Sequence, residues 1–128
     1  MVKVLIIEDD ELILKLYQQV FNSEGYDVLS ATNGEEGIKV AEETIPDLIL
    51  LDIMMPKLNG LDMLKKLKSI PIIADTPVII LSNLVGKEYT DAALKAGAID
   101  YFIKSDYDPR EIVKITQEVF AKTKQGGK

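Results

Sequence analysis

The stretch Pro46-Asp47-Leu48-Ile49-Leu50-Leu51-Asp52 decides the fold. Four consecutive apolar residues, set between a proline-acid pair and a further acid, read as a strand buried on both faces. Such a strand belongs to a parallel sheet covered by helices, and the sequence on either side alternates as that architecture requires. Upstream, Val2 to Ile7 is a second branched apolar run, stopping at Glu8-Asp9-Asp10. Residues 10–24 carry Ile13, Leu16, Tyr17 and Val20 at helical spacing, and Gly25 is a stop. Asp27 to Ala31 reads as a short strand. Asn33-Gly34-Glu35-Glu36 then opens a helix to about Thr44 in the form of a capping box, with Asn33 as cap and Glu36 reaching back.

Downstream of Asp52, a loop with Pro56 and Asn59-Gly60 leads to a helix over Gly60 to Ser69. Pro71 and Pro77 bracket a connection in which Ile72-Ile73-Ala74 reads as a helical turn. Val78-Ile79-Ile80-Leu81 is the fourth strand, ending at Ser82. Lys87 to Ala96 is a weak helix closed by Gly97, and Ile99 to Ile103 a fifth strand ending at Lys104. Asp108-Pro109-Arg110-Glu111 is a strong helix start, with Asp at the cap, Pro at the first helical position and Glu two further on. That helix is expected to end near Lys122. The expectation is one α/β domain over residues 1–122 with a flexible tail at 123–128. Its five-stranded parallel sheet has right-handed crossovers and helices on both faces.

Composition narrows the chemistry. The chain of 128 residues has an apolar share of 47%, which supports a packed core. It has no histidine and no cysteine. This excludes a Ser-His-Asp triad, an imidazole zinc site, a thiolate metal site and a disulfide. A net charge of −6 argues against a nucleic-acid surface. The apolar run at residues 2–7 is too short for a signal peptide or membrane span, so a cytoplasmic protein is expected.

In open α/β sheets, sites form beyond the carboxyl ends of the strands. Those ends carry Glu8, Asp9 and Asp10 on strand one, Asp52 on strand three, Ser82 on strand four and Lys104 on strand five. If strands one and three are neighbours, about 4.8 Å apart, Asp9 and Asp52 face each other. Clustered carboxylates repel unless a cation lies between them. Oxygen ligands without His or Cys favour a hard ion, Mg²⁺ with Mn²⁺ as the alternative. Lys104 adds a mobile positive charge and Ser82 a hydroxyl donor, a set that suits in-line attack by a carboxylate on phosphorus. Taken singly, Asp9 or Asp10 reads as a helix cap, Asp52 as a turn residue and Tyr101 as a packing aromatic. Their joint placement on one sheet edge is what points to a phosphoryl acceptor.

Five segments carry a resemblance at the same spacing: Leu5-Ile6-Ile7-Glu8-Asp9-Asp10, Leu51-Asp52-Ile53-Met54-Met55-Pro56 with Asn59-Gly60, Leu81-Ser82, Gly97-Ala98, and Asp100-Tyr101-Phe102-Ile103-Lys104. Over residues 2 to about 122 the chain resembles the response-regulator receiver domains of two-component signalling, with their CheY-like fold. The resemblance implies a flavodoxin-like (βα)5 sheet in the order 2-1-3-4-5. It implies Asp52 as phospho-acceptor, and Mg²⁺ held by Glu8, Asp9, Asp52 and the backbone carbonyl of Met54. Ser82 and Lys104 would contact the phosphoryl oxygens, and Ser82 and Tyr101 would form the switch. The output surface would be the fourth helix, fifth strand and fifth helix, through which the monomer could also pair weakly. A sensor histidine kinase or histidine phosphotransfer protein would be the donor in a phosphorelay, and another protein the downstream target.

The chain departs from the family pattern in three places. Ser105 follows Lys104, where proline is usual; the peptide between them is either trans or a cis bond costing about 3 kcal/mol without proline. Asn83 stands where a small residue is usual, next to the switch. Met54 and Leu84 are apolar at positions that tune dephosphorylation, and neither can orient a water, so slow self-dephosphorylation is expected. Two rival functions remain. A receiver-like module that binds partners without being phosphorylated is kept open by Asn83 and Ser105. An aspartate-nucleophile phosphatase would need a second acid after the nucleophile, and Asp52-Ile53-Met54 offers none. The residues contain no nucleotide-binding glycine motif. They contain no output domain either, so the protein acts by docking or is a receiver from a longer chain.

Overall fold

A computed structural model describes residues 2–53 and 60–126. The strands are β1 (Lys3–Ile7), β2 (Asp27–Ala31), β3 (Leu48–Leu51), β4 (Val78–Ser82) and β5 (Asp100–Ile103). The helices are α1 (Glu11–Ser23), α2 (Gly34–Thr44), α3 (Gly60–Ser69), α4 (Lys87–Lys95) and α5 (Pro109–Gly126), with a short 3₁₀ turn at Lys104–Asp106. All strand pairs are parallel, in the order β2-β1-β3-β4-β5. The expected five-stranded α/β fold is therefore the observed one.

The period of two along each strand sorts the core into two layers. Val4, Ile6, Leu48, Leu50, Ile79 and Leu81 face α1 and α5, where they meet Leu14, Tyr17, Phe21, Ile112 and Val113. Their neighbours Leu5, Ile7, Ile49, Leu51, Val78 and Ile80 face Ala41 of α2, Met63, Leu64 and Leu67 of α3, and Ala93 of α4. Each such buried aliphatic side chain contributes roughly 1.5–3 kcal/mol relative to exposure. This two-sided burial is why the strands read as unbroken apolar runs.

Helix starts follow local chemistry. Asp10 accepts from the amides of Leu12 and Ile13 and caps α1. Asn33 accepts from the Glu36 amide, while the Glu36 carboxylate takes the amide of Thr32 at 2.7 Å, one residue before the cap. Asp108 and Glu111 exchange side-chain-to-amide bonds, both 2.9 Å, in a reciprocal box that opens α5. Helix α5 then runs to Gly126, past the expected end near Lys122.

The connection between α3 and β4 is a series of turns, with i to i−3 bonds from Ile73 to Ile70 and from Thr76 to Ile73. The half-buried Lys68 ammonium donates to the carbonyls of Ala74 and Thr76, at 3.2 and 2.7 Å. Burial lowers its pKa and the charge of Asp75 opposes that. Sequence pattern gives no sign of this side-chain clasp, because its partners are backbone atoms.

Gly60 fixes how α3 meets the end of β3. Its amide donates to the Ile53 carbonyl at 3.2 Å, and a Cβ at Gly60 would sit 2.1 Å from the Ile53 Cα. Backbone cannot yield as a side-chain tip can. Gly60→Ala is therefore expected to destabilise the domain by about 3 kcal/mol, read by urea unfolding.

Candidate functional site

The last rung of the sheet positions the acids. Ile7 pairs with Leu51, so the residues that follow them, Glu8 and Asp52, leave the sheet level with each other. The Glu8 amide donates to the Ala31 carbonyl at 3.0 Å and the Asp52 amide to the Ile7 carbonyl at 3.1 Å. Asp9 lies one residue further along. Carboxylate oxygens of Glu8, Asp9 and Asp52 all fall within 4.8 Å of one another. The neighbour of Asp52 in register is thus Glu8 rather than Asp9, and Asp9 joins the cluster from the loop.

Lys104 arrives from the far edge of the sheet. Its side chain passes over the end of β4, and its ammonium donates to Glu8 Oε1 and, at 2.8 Å, to Asp52 Oδ2. The side chains of Lys104, Glu8 and Asp52 are only 9%, 4% and 7% exposed, so these charges are weakly screened. Burial raises the Glu8 pKa, against the pull of Lys104 and of the Asp10 amide that donates to its Oε2. Burial pushes Lys104 down, but the hydrogen bonds and charges of Asp52 and Glu8 together carry it above the ordinary lysine value. Tyr17 is buried beneath this group on α1. Burial raises its pKa, and its hydroxyl feels the charges of Lys104, Glu8 and Asp52. The sequence reading treated Tyr17 only as a core residue.

Ser82 ends β4 and is fully buried, and its hydroxyl accepts from the Leu84 amide at 3.2 Å. Tyr101 on β5 is half-buried and its hydroxyl donates to the Leu84 carbonyl at 2.7 Å. Burial raises the pKa of Tyr101, and a hydrogen bond with Ser82 opposes the rise. Ser82 and Tyr101, expected as a pair, are thus brought together at Leu84. Asn83 turns outward instead of crowding them, and accepts from the Ser105 amide at 3.0 Å. No peptide bond among the described residues is cis, so Lys104–Ser105 is trans. Met54, expected as a backbone metal ligand, lies outside the described residues.

Three carboxylates, a lysine and a buried hydroxyl are thus gathered at one edge of a parallel sheet. The family model for the response regulator receiver domain matches residues 4–117. The chain belongs to that family. This receiver domain is 38% identical over 110 residues to the alkaline phosphatase synthesis transcriptional regulatory protein PhoP of Bacillus subtilis, covering 86% of this chain and 45% of the relative. It is 38% identical over 122 residues to response regulator SaeR of Staphylococcus epidermidis, covering 95% of this chain and 52% of the relative. The chain thus spans about half the length of these curated relatives. A crystal structure of a CheY-like response regulator receiver domain protein from Methanospirillum hungatei superposes with a TM-score of 0.88, at 27% identity and 98% coverage of both chains. Response regulators are signalling proteins of two-component systems. No helix among the described residues is long and apolar enough to cross a membrane.

The raised pKa of Lys104 has a definite sign. Its contribution to stability is complete below the unfolded value of 10.5 and is lost as pH rises through the higher folded value. Unfolding free energy measured in urea is expected to fall as pH rises past about 10.5, and to fall less steeply in Lys104→Met.

Proposed function

We propose that Asp52 accepts a phosphoryl group from a phosphohistidine of a partner protein, in a Mg²⁺-dependent reaction that switches the α4-β5-α5 surface for binding to a downstream protein. The observation that carries this reading is the Lys104 ammonium bonded to Glu8 and Asp52 together, with Asp9 completing the acidic cluster. As an Asp52 oxygen bonds to phosphorus, the donor's P–N bond breaks and its electron pair leaves with the imidazole, which takes a proton. The donor is a sensor histidine kinase or histidine phosphotransfer protein, and the phosphohistidine is not among these 128 residues, which contain no histidine. Such a donor places the reaction in the cytoplasm.

The donor set fits a magnesium ion. Oxygens bound to one Mg²⁺ at about 2.1 Å lie roughly 3–4 Å apart, so the cluster, spanning 4.8 Å at most, needs only a small contraction. Glu8, Asp9, Asp52 and the Met54 carbonyl would hold the ion, which supplies charge neutralisation for the incoming phosphoryl oxygens. The chain's own residues do the rest. Asp52 is the nucleophile, held by its amide on Ile7. Lys104 turns from the carboxylates toward the transferred oxygens. Ser82 offers its hydroxyl to another of them, and its link to Tyr101 through Leu84 passes the change to β5.

Incubation with acetyl phosphate and Mg²⁺ is expected to add one phosphoryl mass to the intact protein and none to Asp52→Asn. An unmodified parent would favour a receiver-like interaction module instead. Asp9→Asn is expected to weaken Mg²⁺ binding by about tenfold in calorimetric titration, because it removes one anionic ligand. Neither Leu84 nor Met54 can orient an attacking water, so the phosphorylated form is expected to persist well beyond seconds at neutral pH, followed by loss of that mass.

A further inference from the structure

Asn83 and Ser105 are the two side-by-side departures from the receiver pattern, and they bind each other. Ser82 pairs with Ile103 at the last register position between β4 and β5. Beyond it the two chains separate, and the Asn83 side chain supplies the next strand-to-strand bond, its Oδ1 accepting from the Ser105 amide at 3.0 Å. A proline at 105 would have no amide to give, and a small residue at 83 would have no acceptor to reach it. The two changes therefore make sense only together.

The bond falls at a position with mechanical meaning. Lys104 lies between Ile103, held in the sheet, and Ser105, held by Asn83. Its own carbonyl accepts from the Tyr107 amide at 3.2 Å. The peptide group that follows Lys104 is thereby tied at both its carbonyl and its amide, next to the base of the long side chain that reaches Glu8 and Asp52. The other end of the bond is in the loop that begins at Ser82 and is also held by the Tyr101 hydroxyl on the Leu84 carbonyl. We propose that Asn83 and Ser105 form a positioning clamp, which sets the base of Lys104 and makes the Ser82 loop and the Lys104 loop close on the phosphoryl group as one unit. The clamp does the task that a proline after the lysine would do by restricting the backbone. It rests on the proposed phosphoryl acceptance by Asp52.

The test compares Asn83→Leu, which keeps the bulk but not the acceptor, and Asn83→Ala, which removes both. Each is reacted with acetyl phosphate over a range of Mg²⁺ concentrations and followed by intact mass. Exchange of the Ser105 amide is followed by NMR in the unphosphorylated protein. Both variants are expected to phosphorylate more slowly by about fivefold, the factor that one neutral hydrogen bond is worth. The Mg²⁺ concentration for half-maximal rate is expected to stay as in the parent, and the Ser105 amide to exchange faster. Parent-like rates in both variants overturn the clamp, as does a faster Asn83→Ala beside an unchanged Asn83→Leu, which would mean simple crowding. A matching shift in Mg²⁺ requirement overturns it too, since general damage to the site would then explain the loss. A parent that gains no phosphoryl mass overturns the acceptor reading itself and the clamp's role with it.

Discussion

A single buried ammonium holds the carboxyl edge of this sheet together. Glu8 and Asp52 leave β1 and β3 side by side, in a place too dry for two carboxylates to stand alone. Lys104, from the opposite edge of the sheet, meets both. The cost of burial appears directly in the raised pKa of Glu8, and the compensation in the raised pKa of Lys104. The one ammonium thus neutralises both acids at once.

Around that point the polar bonds are layered. The amides of Glu8 and Asp52 donate to carbonyls of the neighbouring strands, at Ala31 and Ile7. Ser82 and Tyr101 meet through Leu84, and Asn83 meets Ser105. The loop after β4 is therefore tied to β5 and to the turn that follows it, by one half-buried bond and one exposed bond. Below this layer the packing is mainly apolar. Gly60 brings α3 close against Ile53, the residue that follows Asp52.

Much of this was legible in the amino-acid sequence because its causes are local. The runs at Leu48–Leu51 and Val78–Ser82 announce strands buried on both faces, and Asp10, Asn33 and Asp108 announce helix starts through bonds spanning two or three residues. Listing what stands at each strand end was enough to gather Glu8, Asp9, Asp52, Ser82 and Lys104. What was not legible depends on register and on distant partners. That Glu8, and not Asp9, stands level with Asp52 follows from which residues pair in the sheet. The outward turn of Asn83 depends on an amide in another loop. The Lys68 clasp uses carbonyls, which carry no sequence label, and the length of α5 had no stop signal before its glycines.

The span between Glu8 and Lys104 is 96 residues, and it bears on how the chain is made. During synthesis Glu8 leaves the ribosome long before the lysine that neutralises it. The first three βα units can begin to collapse, yet their carboxyl edge keeps an unbalanced pair of acids that resists being buried. Only when the last strand docks does the edge become dry and the site complete. A chain interrupted before β5 would lack the charge that neutralises this pair.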